Sequence, residues 1–210
     1  MIDIFIKGGP IMYPLLLCSV ISLSVVIERM FFWMSVDRSQ NQTLVQEVLE
    51  LCQTGDWEAV RLKAAGSKNY VVRVLISGIL HRDYSLSKAM ESAAAEEVSR
   101  MGRFMGALDT MITIAPLLGI LGTVTGIIDC FDMLGTQGLE HPQVVTVGIA
   151  QALITTASGL IIAIATVVPF NYFNSRIERA ARVLEKYATS FEIVYEKKLM
   201  GVNENTGGIR

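Results

Sequence analysis

The sequence predicts an all-α membrane protein: three transmembrane helices, two of them extended into a helical cytoplasmic lobe. Three observations carry that expectation. No Asp, Glu, Lys, Arg or His occurs from Gly8 to Ile27, from Thr110 to Ile128, or from Pro142 to Ser175. Crossing a bilayer core takes roughly 20 apolar helical residues, so the first two gaps just meet that length and the third exceeds it. Hydrophobic residues make up 51% of the 210, high for a water-soluble globule. Between the gaps, apolar residues recur at helical spacing.

The elements follow in order. Residues 1–10 form a short N-terminus ahead of the first span, 11–33. A secretory signal peptide is the rival reading of that span. Lys7 is a meagre basic leader, however, and no A-x-A-like cleavage site follows the apolar run. The segment closes on "ERMFFWM", a charge pair and aromatics of the kind that anchor a helix at an interface, so retention is expected.

A cytoplasmic lobe is expected over 34–110. "QTLVQEVLELCQTGDWEAVRLKAAG" predicts a helical hairpin turning at Gly55-Asp56, with Leu44, Val48 and Leu51 on one face. "NYVVRVLISGILH" predicts another short helix. Leu86, Met90, Ala94, Val98, Met101, Met105 and Leu108 fall three or four apart with no strong stop before the second span, 111–133. A single helix from Ser85 to Met133 would be roughly 70 Å long at 1.5 Å per residue.

A short loop over 134–144 leads to the third span, 145–170, and a cytoplasmic helix over 171–200. Ile177, Ala181, Leu184, Ala188, Phe191 and Tyr195 alternate steps of four and three. That pattern suits a heptad seam or a face packed on the other lobe helices. The tail over 201–210, "GVNENTGGIR", is small and polar, and disorder is expected there.

Orientation follows from basic residues. Residues 1–10 carry one Lys or Arg, the loop over 135–144 none, 34–110 nine, and 171–210 seven. The positive-inside rule therefore puts the N-terminus and the short loop outside and the C-terminus in the cytoplasm.

The charge-free stretches of the spans are not featureless. Lipid supplies no hydrophobic drive between helices, so small residues that permit close approach hold spans together. Gly119, Gly122 and Gly126 lie near one face of span two, and Gly148, Ala152, Gly159 and Ala163 form a similar face on span three. Plain helix packing explains these glycines. Pro116 reads as a mild bend near one end of its span. Thr123 and Thr125 in span two, with Gln151, Thr155 and Thr156 in span three, set hydrogen-bonding groups at membrane depth. A lone threonine commonly bonds its own backbone a turn back. Gln151 cannot satisfy its amide that way, so it faces protein or water rather than lipid.

Other chemistry finds no support. The net charge of −2 offers no basic surface for nucleic acid. There is no P-loop, H-E-x-x-H or EF-hand loop. His81 and His141 stand alone, and Cys18, Cys52 and Cys130 lack metal or disulfide spacing. No enzyme activity, cofactor or metal is expected, so any work draws on a gradient or a partner.

Three stretches resemble the MotA/TolQ/ExbB ion-channel proteins of bacterial inner membranes. "GGPIMYPLLLCSVISLSVVIERM" is similar to the first span of that family, "IAPLLGILGTVTGI" to the second, and "GIAQALITTASGLIIAIATVVPFNYF" to the third. Three spans and a modest lobe resemble the ExbB/TolQ branch. The resemblance implies an inner-membrane, proton-driven motor subunit serving TonB-dependent uptake or Tol-type envelope maintenance. It implies a homo-oligomer, usually a pentamer, around single-span ExbD/TolR-type partners that carry an Asp, with a TonB- or TolA-type protein beyond them. The family's pore-facing threonines match Thr123 and Thr156. A family Glu is replaced by Gln151, which cannot ionise. On this reading the ion path is lined by Thr123, Thr156, Gln151 and Thr155, while Gly119, Gly122, Gly126, Gly148 and Gly159 pack the helices. The rival reading is a non-conducting scaffold whose polar span residues only join helices and whose lobe recruits a partner. A secondary transporter is disfavoured, since three spans show no inverted repeat or broken helix.

Overall fold

The computed structural model describes residues 5, 7–64, 66–81, 85–137 and 142–206. Several positions named above lie outside these: residues 1–4 and 6 of the N-terminus, 138–141 of the short loop with His141, and the last four residues of the tail. Among the described residues there are seven helices and no strand: α1 (Met12–Ser39), α2 (Gln42–Thr54), α3 (Trp57–Ala64), α4 (Tyr70–Leu80), α5 (Leu86–Met101), α6 (Met105–Gln137) and α7 (Pro142–Thr206). Three stretches, Met12–Ser39, Met105–Gly135 and Thr146–Glu196, are long and apolar enough to cross a membrane. The chain divides into two compact units, one of Met1–Met30 with Phe104–Phe173 and the other of Phe31–Arg103 with Asn174–Arg210.

The first unit contains the apolar spans. Gly119 of α6 faces Thr156 of α7 while Gly126 faces Gly148, so these two helices run antiparallel. Gly8 lies beside Ile154, and further along Ser22 and Val26 neighbour Ile162 and Thr166, so α1 runs parallel to α7. Met12, Leu15 and Ala115 form a buried cluster, with Ile11, Leu118, Ile154 and Ile162 packed around it. Leu117, Leu121, Ile128, Leu153 and Ile161 lie exposed on the outside of the unit, as lipid or a neighbouring copy requires.

The second unit is a small helical globule. Gly55 takes φ 83° and donates its N–H to the Leu51 carbonyl at 3.1 Å, which closes α2 with a left-handed cap. Asp56 Oδ1 then accepts the Ala59 N–H at 3.0 Å and starts α3, completing the hairpin expected at Gly55-Asp56. Asn69 caps α4 by accepting from the Val71 N–H at 2.9 Å and the Val72 N–H at 3.4 Å. Val48, Val60, Val72, Val74 and Leu75 fill the core between these helices. Of the alternating seam on α7, Leu184 and Phe191 are buried within the chain, while Ile177, Ala181, Ala188 and Tyr195 are only partly buried.

One expectation is corrected. The helix expected to run unbroken from Ser85 to Met133 is interrupted: α5 ends at Met101 and α6 begins at Met105. Phe104 sits at φ 65°, a left-handed conformation that a bulky side chain rarely adopts. Its ring receives the Arg29 guanidinium at 5.8 Å from the centroid, and Arg29 is itself buried and paired with Glu28. This tertiary contact offsets a backbone cost that no local sequence signal announces. α7 extends as far as Thr206, past the expected end of the cytoplasmic helix at 200.

The Asn69 cap is the simplest local test of this lobe. Asn69→Ala should lower the unfolding free energy by about 1 kcal/mol in denaturant titrations followed by far-ultraviolet circular dichroism. An unchanged midpoint would show that the cap contributes nothing.

Candidate ion-path wall

The polar residues of the spans converge on the seam between α6 and α7. Small residues allow the two backbones to touch. A Cβ placed on Gly119 would lie 3.0 Å from the Thr156 Cα, and one on Gly126 would lie 3.2 Å from the Gly148 carbonyl oxygen. One on Gly159 would lie 3.2 Å from the Gly119 Cα. Such separations are shorter than carbon–carbon van der Waals contact, so a larger side chain would push the helices apart. Gly122 receives the Thr155 side chain, whose atoms occupy the space a Cβ would need. Ala115, Ala152 and Cys130 complete the seam, all of them buried.

The hydroxyls divide into two kinds. Thr123 Oγ1 donates to the Ile120 carbonyl at 2.6 Å, and Thr125 Oγ1 donates within α6 to Leu121 and Gly122 at 3.2 Å. Thr155 Oγ1 donates to Ala152 of its own helix at 2.9 Å and is fully buried. These three follow the local pattern expected of a threonine in an apolar helix. Thr156 does not. Its Oγ1 crosses the seam and donates to the Gly119 carbonyl at 2.9 Å. Gly119 has no side chain to block that approach, so one glycine supplies both the space and the acceptor.

Thr123 and Thr156 are half-buried, each beside an exposed apolar face of its helix. A threonine that donates to a carbonyl keeps lone pairs free to accept. Gln151 is half-buried near the start of span three. Its side chain lies over Gly9, which adopts φ 71° and whose Cβ, if present, would collide with the amide. Gln151 is thus held apart from Thr123 and Thr156 and set against the chain leading into α1. Sequence reasoning grouped the four polar residues but gave no means of telling which threonine reaches across. It also missed the buried Arg29, which read only as half of an interfacial charge pair.

The fold and this seam define a class: a three-span α-helical membrane protein in which α6 and α7 are joined by glycine contact and a hydroxyl, each span holding a long charge-free stretch. Residues 67–186 match the MotA/TolQ/ExbB proton channel family. Relatives include the biopolymer transport protein ExbB-like 3 of Synechocystis sp., 32% identical over 197 residues that cover 90% of this chain and 92% of the relative. The biopolymer transport protein ExbB of Salmonella typhimurium is 30% identical over 83% of this chain and 75% of its own length. The Tol-Pal system protein TolQ of Pseudomonas aeruginosa is 32% identical over 54% of this chain and 49% of its own. The chain belongs to the MotA/TolQ/ExbB family, on its ExbB/TolQ branch.

The packing at Gly122 is open to a swap test. Gly122→Ala should lower thermal stability in detergent by about 1–3 kcal/mol, the usual cost of overpacking. Adding Thr155→Gly, which restores the space from the opposite helix, should recover most of the loss. A double variant no better than Gly122→Ala would show that the seam is not the limiting contact.

Proposed function

We propose that this chain is the wall-forming subunit of a proton-driven inner-membrane motor. Several copies, five in the family's usual arrangement, surround single-span helices of the ExbD/TolR type. Proton flow through that assembly drives work across the envelope, either TonB-dependent uptake or a Tol-type process with a TonB- or TolA-type protein. The observation that carries the reading is the pairing of long charge-free stretches within the spans with half-buried threonines on both sides of the α6–α7 seam. A fixed charge at mid-membrane is costly, by about 2.5–3.5 kcal/mol on insertion scales. The chain offers no Asp, Glu, Lys, Arg or His within its three apolar gaps. A carboxylate on the partner helix would therefore carry the proton. Thr123 and Thr156 accept from its neutral form through their lone pairs, and donate to its charged form when their hydroxyls turn away from the Ile120 and Gly119 carbonyls. Thr155, buried against Gly122, and Gln151, laid over Gly9, support the wall from behind rather than face the path, and Gln151 cannot ionise. One proton moving through 100 mV releases roughly 2.3 kcal/mol, so a few suffice to tilt or turn one member of an assembly against another.

The rival reading is a scaffold without conduction, and the self-bonded hydroxyls of Thr123, Thr125 and Thr155 favour it. Valine substitutions separate the two. Thr123→Val and Thr156→Val preserve side-chain shape while removing the hydroxyl. Each should abolish energised function in a cell that depends on this protein. The assembled complex should persist, because a hydrogen bond between membrane helices contributes only about 0.6 kcal/mol on average. Full activity in both variants would refute the wall assignment.

A further inference from the structure

The second unit holds a pocket that the ion path does not use. Phe32, Ser35, Val36 and Ser39 line one side of it, spaced three or four apart and so on one face of α1. Lys68 from the turn before α4, Arg73 from α4 and Arg100 from the last turn of α5 line the other. The pocket encloses about 300 Å³, at the lower end of small-ligand sites. Three cations and two hydroxyls line it, with no carboxylate among them. Glu97, buried beside the pocket, pairs with Arg73 and lies 3.6 Å from Arg100, so one acid offsets part of the charge. It also holds both guanidinium groups in place. Arg100 is further fixed over the Phe32 ring at 5.8 Å. Ser39 Oγ donates to the Val36 carbonyl at 2.8 Å, so it reaches an anion as a donor only by turning from that carbonyl.

Three cations gathered from separate elements repel one another, and an anion removes that repulsion. Guanidinium forks and an ammonium beside hydroxyls suit a phosphate oxyanion. The position along α1 selects its source. Phe32 lies within the last turn of the span expected over 11–33, and Ser35 and Ser39 lie just past it. The cations are thereby held where a membrane-crossing helix leaves the hydrocarbon, which is the level of lipid phosphates. We propose that this pocket binds the headgroup of an anionic phospholipid, with Lys68, Arg73 and Arg100 on the phosphate and Phe32 facing the start of the acyl chains. The lipid would anchor the lobe helices α4 and α5 to the end of α1. Free phosphate shares the charge chemistry but has no use for the aromatic wall. The site is independent of ion conduction, so its test does not read proton flow.

The experiment is lipid titration of the intact, delipidated protein in mild detergent, read by native mass spectrometry. Phosphatidylglycerol and phosphatidylcholine are compared, with inorganic phosphate as competitor. Lys68 is exposed, so Lys68→Gln preserves the fold, which circular dichroism verifies. One basic residue near a membrane surface corresponds to about a fivefold change in affinity. Lys68→Gln should weaken phosphatidylglycerol by about that factor and leave phosphatidylcholine unchanged. Lys88→Gln, exposed on α5 away from the pocket, should leave phosphatidylglycerol binding within the scatter of the native protein. Equal losses in both variants, no preference for the anionic lipid, or displacement of it by inorganic phosphate would each overturn the proposal.

Discussion

The rest of the membrane unit depends on backbone contact between α6 and α7. Hydrocarbon gives helices no solvent to escape from, so association rests on short-range attraction and on hydrogen bonds. Both require the helices to approach until Cα atoms and carbonyls touch. Gly119, Gly122, Gly126, Gly148 and Gly159 remove the side chains that would prevent it. The Thr156 hydroxyl then reaches the Gly119 carbonyl and fixes the register along the seam. With that register set, Thr155 falls over Gly122, Cys130 over Gly148 and Ala115 against Gly159. Thr123 and Thr156 remain half-buried at its margins.

This arrangement also answers why helix-disfavouring glycine and hydroxyl-bearing threonine occur together in so apolar a stretch. In water, Gly inside a helix costs about 1 kcal/mol relative to Ala. In lipid, unfolding the backbone would strip its hydrogen bonds of any substitute, so the helix survives its glycines and the sequence is free to use them for contact. Threonine completes the logic: it hides its proton in a carbonyl while leaving lone pairs available. Such a surface is polar without being charged: it accepts from a neutral carboxylic acid as it stands, and donates to a carboxylate once a hydroxyl turns from its carbonyl.

Much of this was legible in the residues because it is local or compositional. The three charge gaps mark the spans, and Gly55-Asp56 marks the turn of the lobe hairpin through a cap that only local geometry dictates. The break at 102–104 was not legible. Gly102 alone does not end a helix, and the left-handed Phe104 is supported by Arg29, a residue 75 positions earlier in the chain. The pocket on α1 escaped for the same reason, since Lys68, Arg73 and Arg100 lie on different elements and only the fold brings them to Ser35 and Ser39. Among the threonines, residue identity could nominate the group but could not say that Thr156 bonds across the seam while Thr155 bonds its own helix.

The central claim is that this chain supplies an uncharged wall and that the titrating group belongs to a companion. Proton flux into proteoliposomes under an imposed membrane potential tests it most directly. The chain reconstituted alone should be tight, and co-reconstitution with the proposed ExbD/TolR-type helix should open a flux that vanishes when the aspartate expected on that helix becomes asparagine. Proton flux through this chain in the partner's absence, or an undiminished flux with the asparagine partner, would contradict the account.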